Sequence, residues 1–148
     1  MPQPNAPLEI REEAWSVALA DDLEDRIYAF NAATTGIADG RGLALTVRDE
    51  SGRALAAVVG STWGDTCELK TVWVDEPLRR AGLGRALLLR AIATAEARGC
   101  TQLLLATHSF QAPAFYAKLG FRELFRLNDY PRGHAEIWLL RALTPQRA

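Results

Sequence analysis

The sequence predicts an α/β domain built on one mixed sheet, in the order strand, helix, three strands, helix, strand, helix, two strands. Three observations carry that expectation. The β-branched and aromatic run Thr71-Val72-Trp73-Val74 stops at Pro77 and a glycine-rich turn, which opens directly into a helix rich in Leu and Ala. A nearly uninterrupted aliphatic run at residues 103–107 reads as a strand buried on both faces. The segments on either side of Asp49-Glu50-Ser51-Gly52 read as the two arms of a hairpin.

Taken in order, Leu8-Glu9-Ile10-Arg11 forms a short first strand. The cluster Asp21-Asp22-Leu23-Glu24-Asp25 then opens an amphipathic helix through Leu23, Ile27 and Phe30 that ends before Gly36, with acids complementing the positive end of the helix dipole. Residues 42–48 and 54–61 pair as the hairpin, and residues 67–74 make the next strand. Alternation there puts Glu68, Lys70, Val72 and Val74 on one face and Cys67, Leu69, Thr71 and Trp73 on the other, unless a bulge intervenes. A helix over 83–97 closes at Gly99, where a left-handed cap residue is expected. After the strand at 103–107 come a short helix over 112–119 and strands at 121–127 and 136–141, which flank a loop containing Asp129, Tyr130, Arg132 and His134.

A chain of 148 residues with 49% hydrophobic composition fits one compact domain, drawn over residues 8–143 with a flexible tail at 1–7. Its apolar runs are too short to span a bilayer, and the start Met1-Pro2-Gln3-Pro4-Asn5 lacks the basic and apolar regions of a signal peptide, so a cytoplasmic protein without a membrane partner is expected. Cys67 and Cys100 sit in apolar runs without metal-ligand spacing, which points to buried, reduced thiols and no metal. The net charge of −1 hides an asymmetry. Residues 1–50 carry ten acids against four bases, and residues 51–148 carry eight against thirteen. A basic half suits an anionic ligand and an acidic half a cationic acceptor, whereas nucleic acid would call for a strongly basic patch or stripe.

The glycine-rich turn carries the chemistry. Glycines at a strand-to-helix turn let backbone approach a ligand closely, and the free N–H groups of the helix's first turn favour a phosphate. A P-loop would need Lys-Ser/Thr where Arg85-Ala86 stand, and a dinucleotide fingerprint a third glycine where Leu87 stands. What remains, Arg79-x-x-Gly82-x-Gly84 after Val72-x-Val74, resembles the acetyl-CoA pyrophosphate loop of the GNAT superfamily of N-acetyltransferases. Downstream, the segment from Ser109 to Phe121 resembles the family's Asn-x-x-Ala-x-x-Phe-Tyr-x-x-x-Gly-Phe. Two motifs in the right order extend the resemblance over roughly residues 8–143.

The resemblance implies a mostly antiparallel sheet flanked by helices, in which the strands before and after the loop helix splay apart and receive the pantetheine arm of CoA. Acetyl-CoA would be held by Val72, Trp73 and Val74, by Arg79, Arg80, Ala81, Gly82, Leu83, Gly84 and Arg85, and by Ser109 and Phe115, with backbone near Val74 pairing with the pantetheine amides. Tyr116 matches the family's Tyr facing the CoA sulfur, an acid for the departing thiolate. Glu68 lies eleven residues before Arg79, where some members carry a glutamate that takes the amine's proton; an ion pair with Lys70 is the other reading. Ser109 departs from the usual Asn and reaches less far, with Gln111 two residues on. Trp63, His108 and His134 are the acceptor-side candidates. The implied activity is acetyl transfer by direct attack of a primary amine, on a small molecule or a protein. A non-catalytic CoA-binding module is the alternative, favoured if Tyr116 and Glu68 both pointed away from the cleft. Exposed strand edges near the C-terminus suggest a homodimer.

Overall fold

The computed structural model describes residues 7–146. The tail expected over residues 1–7 lies, except for Pro7, outside the described residues. The expected strand at residues 8–11 does not form. Leu8 and Ile10 are fully exposed, and Arg11 turns back onto Glu9, an ion pair at 3.0 Å. So short a run with no ladder partner leaves its backbone groups to water.

Helix α1 spans Val17–Thr35. It begins four residues before the acidic cluster, because the Ser16 hydroxyl accepts a hydrogen bond from the Leu19 N–H and satisfies an otherwise orphaned donor. The first turn therefore holds no acid, and Asp22 instead pairs with Arg26 one turn on, at 2.7 Å. Gly36, at φ 73°, ends the helix with its N–H on the Ala32 carbonyl.

Residues from Ile37 onward form a six-stranded sheet with the spatial order β1-β2-β3-β4-β6-β5. The strands are β1 Arg41–Arg48, β2 Ala54–Trp63, β3 Thr66–Val74, β4 Gln102–His108, β5 Arg122–Asn128 and β6 Ala135–Ala142. All neighbours are antiparallel except β3 and β4. Helix α2, Leu83–Ala97, joins that parallel pair, and α3, Pro113–Ala117, follows β4. Leu87, Leu88, Ala91, Ile92 and Ala95 of α2 pack with Val58, Cys67, Leu69, Leu103, Leu105 and Ile137 in one buried cluster. Each fully buried leucine there contributes about 1.5–3 kcal/mol of transfer free energy. At the far edge, every residue of β5 is exposed. No helix among the described residues is long and apolar enough to cross a membrane.

The site is positioned by two features of β3. Its ladder with β2 slips between Val59 and Gly60, which pair with Thr71 and Leu69 respectively, so Lys70 is a bulge residue. The simple alternation expected for residues 67–74 is thereby broken. Cys67 and Leu69 are buried, Lys70 and Thr71 are both exposed, and Val72 and Val74 then pack on the core. Glu68 thus lies on the opposite face from Val72 and Val74 and shares its phase with Trp73. In addition, β3 and β4 pair only from Thr66 opposite Gln102 to Leu69 opposite Leu105, although both strands continue beyond. Their separation begins at the bulge.

Gly60 makes the bulge possible. A Cβ at this position would stand 2.1 Å from the Glu68 carbonyl oxygen and 2.8 Å from the Leu69 Cα, both backbone atoms that cannot swing aside. Gly60→Ala is expected to lower unfolding stability by about 2 kcal/mol or more, as overpacking against backbone does. Urea denaturation reads the effect, and a loss below about 0.5 kcal/mol would show that the strands relax freely around the bulge.

Candidate functional site

Where β3 and β4 part, a gap opens that is lined by Leu69, Lys70, Thr71 and Val72 on one side and by Leu105, Ala106 and Thr107 on the other. Gln111 and Tyr116 complete its wall. Tyr116 is nearly buried and is held edge-on between Phe115 and Phe121, at ring separations of 5.1 and 5.6 Å. Burial raises its phenol above the ordinary value of 10, so it keeps its proton throughout the neutral range. The short helix α3 that carries it starts on Pro113 and ends at a turn whose Gly120, at φ 89°, leads into Phe121.

At the mouth of the gap the chain leaves β3 through one turn of 3-10 helix, Glu76–Leu78, and enters α2. Arg80 and Gly82 both take positive φ, 67° and 83°, and Gly82 is the N-cap of α2. No side chain caps this end and no acid lies in the first turn, so its N–H groups are open. Within this chain nothing lies within 4 Å of where a Gly82 Cβ would stand. A Cβ on Gly84 would stand 3.7 Å from Phe115 and 3.7 Å from Val74. Arg79, Arg80 and Arg85 are exposed around this turn. Open N–H groups, a positive dipole end and three cations fit a pyrophosphate.

The loop is braced from β3. Arg79 donates from Nε to the Val74 carbonyl at 2.8 Å, and its guanidinium lies 5.0 Å from the centroid of the Trp73 ring. The Val74 carbonyl, expected to meet a pantetheine amide, is thus already engaged. Trp73 donates from its indole to Asp75 at 2.7 Å, and Arg53 donates to the same carboxylate at 2.5 Å. Those hydrogen bonds, that of Arg53 first, hold the Asp75 carboxyl below the usual carboxylate range.

Past the gap, His108 ends β4 with Nδ1 3.1 Å from the Tyr130 carbonyl oxygen, its ring stacked between Phe110 and Tyr130. A carbonyl only accepts, so Nδ1 is the donor in this contact. His134 meets Phe110 edge-on at 5.0 Å, which brings His108 and His134 into one aromatic cluster. Trp63 is not part of it. It pairs with Thr66 beside the β2–β3 turn, donates to the Ile37 carbonyl at 2.8 Å and lines a separate cleft with Asp39, Arg41, Asp65 and Arg98.

Ser109 is committed elsewhere as well, since its Oγ accepts from the Ala135 N–H at 3.0 Å and its own N–H donates to the Ala135 carbonyl. Gln111 lines the gap instead, its Oε1 accepting from the Thr107 hydroxyl and the His108 N–H. The motif named Gln111 only as a neighbour of Ser109, and no periodic signal marks Ala106 or Thr107. Glu68 is half-buried opposite Ser61 and Leu104, one residue before the last paired position and outside the gap lining. Cys67 and Cys100 are buried, free thiols. Burial, and then the neighbouring Cys100, pushes Cys67 up to about 11, which makes it a poor nucleophile.

Known proteins resemble this chain in sequence and in fold. The profile of the Acetyltransferase (GNAT) family matches residues 5–121. The blasticidin-S acetyltransferase of Streptomyces morookaense is 37% identical over 95 residues, 64% of this chain and 70% of that one. The ribosomal protein bS18-alanine N-acetyltransferase of Escherichia coli K12 is 32% identical over 127 residues, covering 80% and 84%. An acetyltransferase crystal structure from Bacillus cereus superposes with a TM-score of 0.73 at 28% identity, over 90% of this chain and 98% of the other. With its loop, its splayed strands and its match over most of the length, the chain belongs to the GNAT family and is an acyltransferase, of a family that uses acetyl-CoA.

Proposed function

We propose that the protein transfers the acetyl group of acetyl-CoA to a primary amine by direct attack in a ternary complex. The observation that carries this reading is the gap between β3 and β4, with Tyr116 on its wall and the open N–H groups of α2 at its mouth. Acetyl-CoA supplies the thioester and a thiolate leaving group. The turn over residues 82–85 binds the pyrophosphate through backbone N–H groups aided by Arg79, Arg80 and Arg85. Backbone of β3 that no longer pairs with β4 is available to the pantetheine amides. Tyr116 gives its proton to the sulfur, and Glu68, one residue before the point where β3 and β4 part, accepts a proton from the amine. Tyr116 on the gap wall favours turnover over a non-catalytic CoA-binding module. The two relatives named above act, by their names, on blasticidin-S and on an alanine of a ribosomal protein, which supports an amine on a small molecule or a protein as acceptor.

Gly82→Asp is expected to abolish the rise in melting temperature that saturating acetyl-CoA produces, because a carboxylate would occupy the pyrophosphate's place. An unchanged ligand-induced shift would remove the loop from the binding site.

Tyr116→Phe keeps the ring packing and loses the proton. It should lower kcat about ten-fold or more with little change in acetyl-CoA affinity. Because burial raises the phenol, activity that depends on its proton should decline only above pH 10. Wild-type turnover by the mutant on an accepted amine would return Tyr116 to a packing role.

Glu68→Gln should depress kcat/KM most on the low-pH limb, where free amine is scarcest. A parallel pH profile for mutant and wild type would mean that the amine is deprotonated by another group.

A further inference from the structure

We propose that Asp75 is a positioning residue for the cofactor: by tethering the Trp73 indole it fixes the surface on which Arg79 rests, and so sets the affinity for the phosphate-bearing half of CoA. The inference rests on the reading of the Arg79 loop as the pyrophosphate site.

The contacts form one chain from the edge of β2 to the loop. Arg53 grips the Asp75 carboxylate through Nη1 at 2.5 Å, with Nη2 at 3.4 Å. The second donor to that carboxylate is the Trp73 N–H, at 2.7 Å. The Asp75 backbone is anchored too, its N–H donating to the Leu55 carbonyl at 2.8 Å. The side chain of Asp75 is only 14% exposed, whereas Trp73 is half-exposed and Arg79 exposed. A half-exposed indole whose N–H is hydrogen-bonded to a fixed carboxylate is restricted in the orientations its ring can take. Once fixed, its face offers Arg79 an attractive cation–π partner at 5.0 Å, and the Val74 carbonyl takes Arg79 Nε. With Nε and one face of the plane so engaged, the two terminal nitrogens are the part of the guanidinium left to meet a phosphate in a fixed orientation. The bulge at Lys70 is what turns Trp73 to the outer face in the first place, in phase with Glu68 and opposite Val72 and Val74.

The hydrogen-bond partners of Asp75, which are Arg53, Trp73, Leu55 and Leu78, all lie outside the gap lining, so its effect should be confined to the phosphate end of the ligand. Asp75→Asn preserves size but presents an N–H donor to one of two groups that are themselves donors, Arg53 and Trp73. Trp73→Phe keeps a ring beneath Arg79 and removes the tether from the other side, without altering the Arg53–Asp75 pair.

The test is isothermal titration of wild type and both variants with CoA and with pantetheine, which lacks every phosphate. Each variant is expected to weaken CoA about three- to ten-fold, the range of an exposed to partly desolvated cation–π contact, while pantetheine affinity stays within about two-fold. Should Asp75→Asn fail to fold, Trp73→Phe gives the same reading. Equal losses for CoA and pantetheine would show a general structural role and overturn the proposal, as would full CoA affinity in the variants. If the wild type itself did not prefer CoA to pantetheine, the pyrophosphate reading of the loop would fall, and the positioning role with it.

Discussion

The approach of Gly60 to the Glu68 carbonyl is the constraint on which the rest of this structure depends. Only a residue without a Cβ fits there, and only because it fits can β3 carry an extra residue opposite β2. Three consequences descend from that one contact. The core-facing phase of β3 passes from Leu69 to Val72, so Val72 and Val74 join the α2 packing while Trp73 faces outward. Pairing with β4 stops at Leu69, which opens the gap. Glu68 is left one residue before the end of that pairing, on the face away from Val72 and Val74.

Binding and chemistry are coupled through packing rather than through a continuous polar network. Phe115 and Val74, at the end of β3, both lie beside Gly84 of the loop, and the Phe115 ring meets Tyr116 edge-on. A displacement of the α2 N-terminus would therefore be felt at Tyr116, since close-packed rings transmit shifts instead of absorbing them. On the other side of the gap, Gln111 ties the end of β4 to the start of the α3 segment by accepting from Thr107 and His108. Each wall of the gap is thus braced from its own side.

Burial has opposite consequences for the two kinds of weak acid in this domain. For Tyr116 it raises the pKa of a group whose proposed task is to give up a proton only to a strong base, so retention at neutral pH is useful. For Cys67 and Cys100 the same effect suppresses the thiolate and leaves them as core side chains.

Helix and strand identities were legible in the sequence wherever local physics decides them. The α2 bounds followed from the glycine turn before it and Gly99 after it, and the order of β1 to β6 from hydrophobic runs and turn residues. The loop and Tyr116 were legible because their chemistry is written in contiguous residues. Local signals erred at the N-terminus, where a four-residue run looked like a strand and an acidic cluster outweighed the Ser16 cap that starts α1. Tertiary structure alone decided the bulge, since a strand's alternation can slip only where its neighbour makes room and Gly60 lies eight residues before Glu68 in the chain. It alone separated Trp63 from the histidines and gave Ser109 to Ala135 and Gln111 to the gap. Those outcomes depend on which strands lie side by side and in what register, and register is fixed by contacts between residues far apart in sequence.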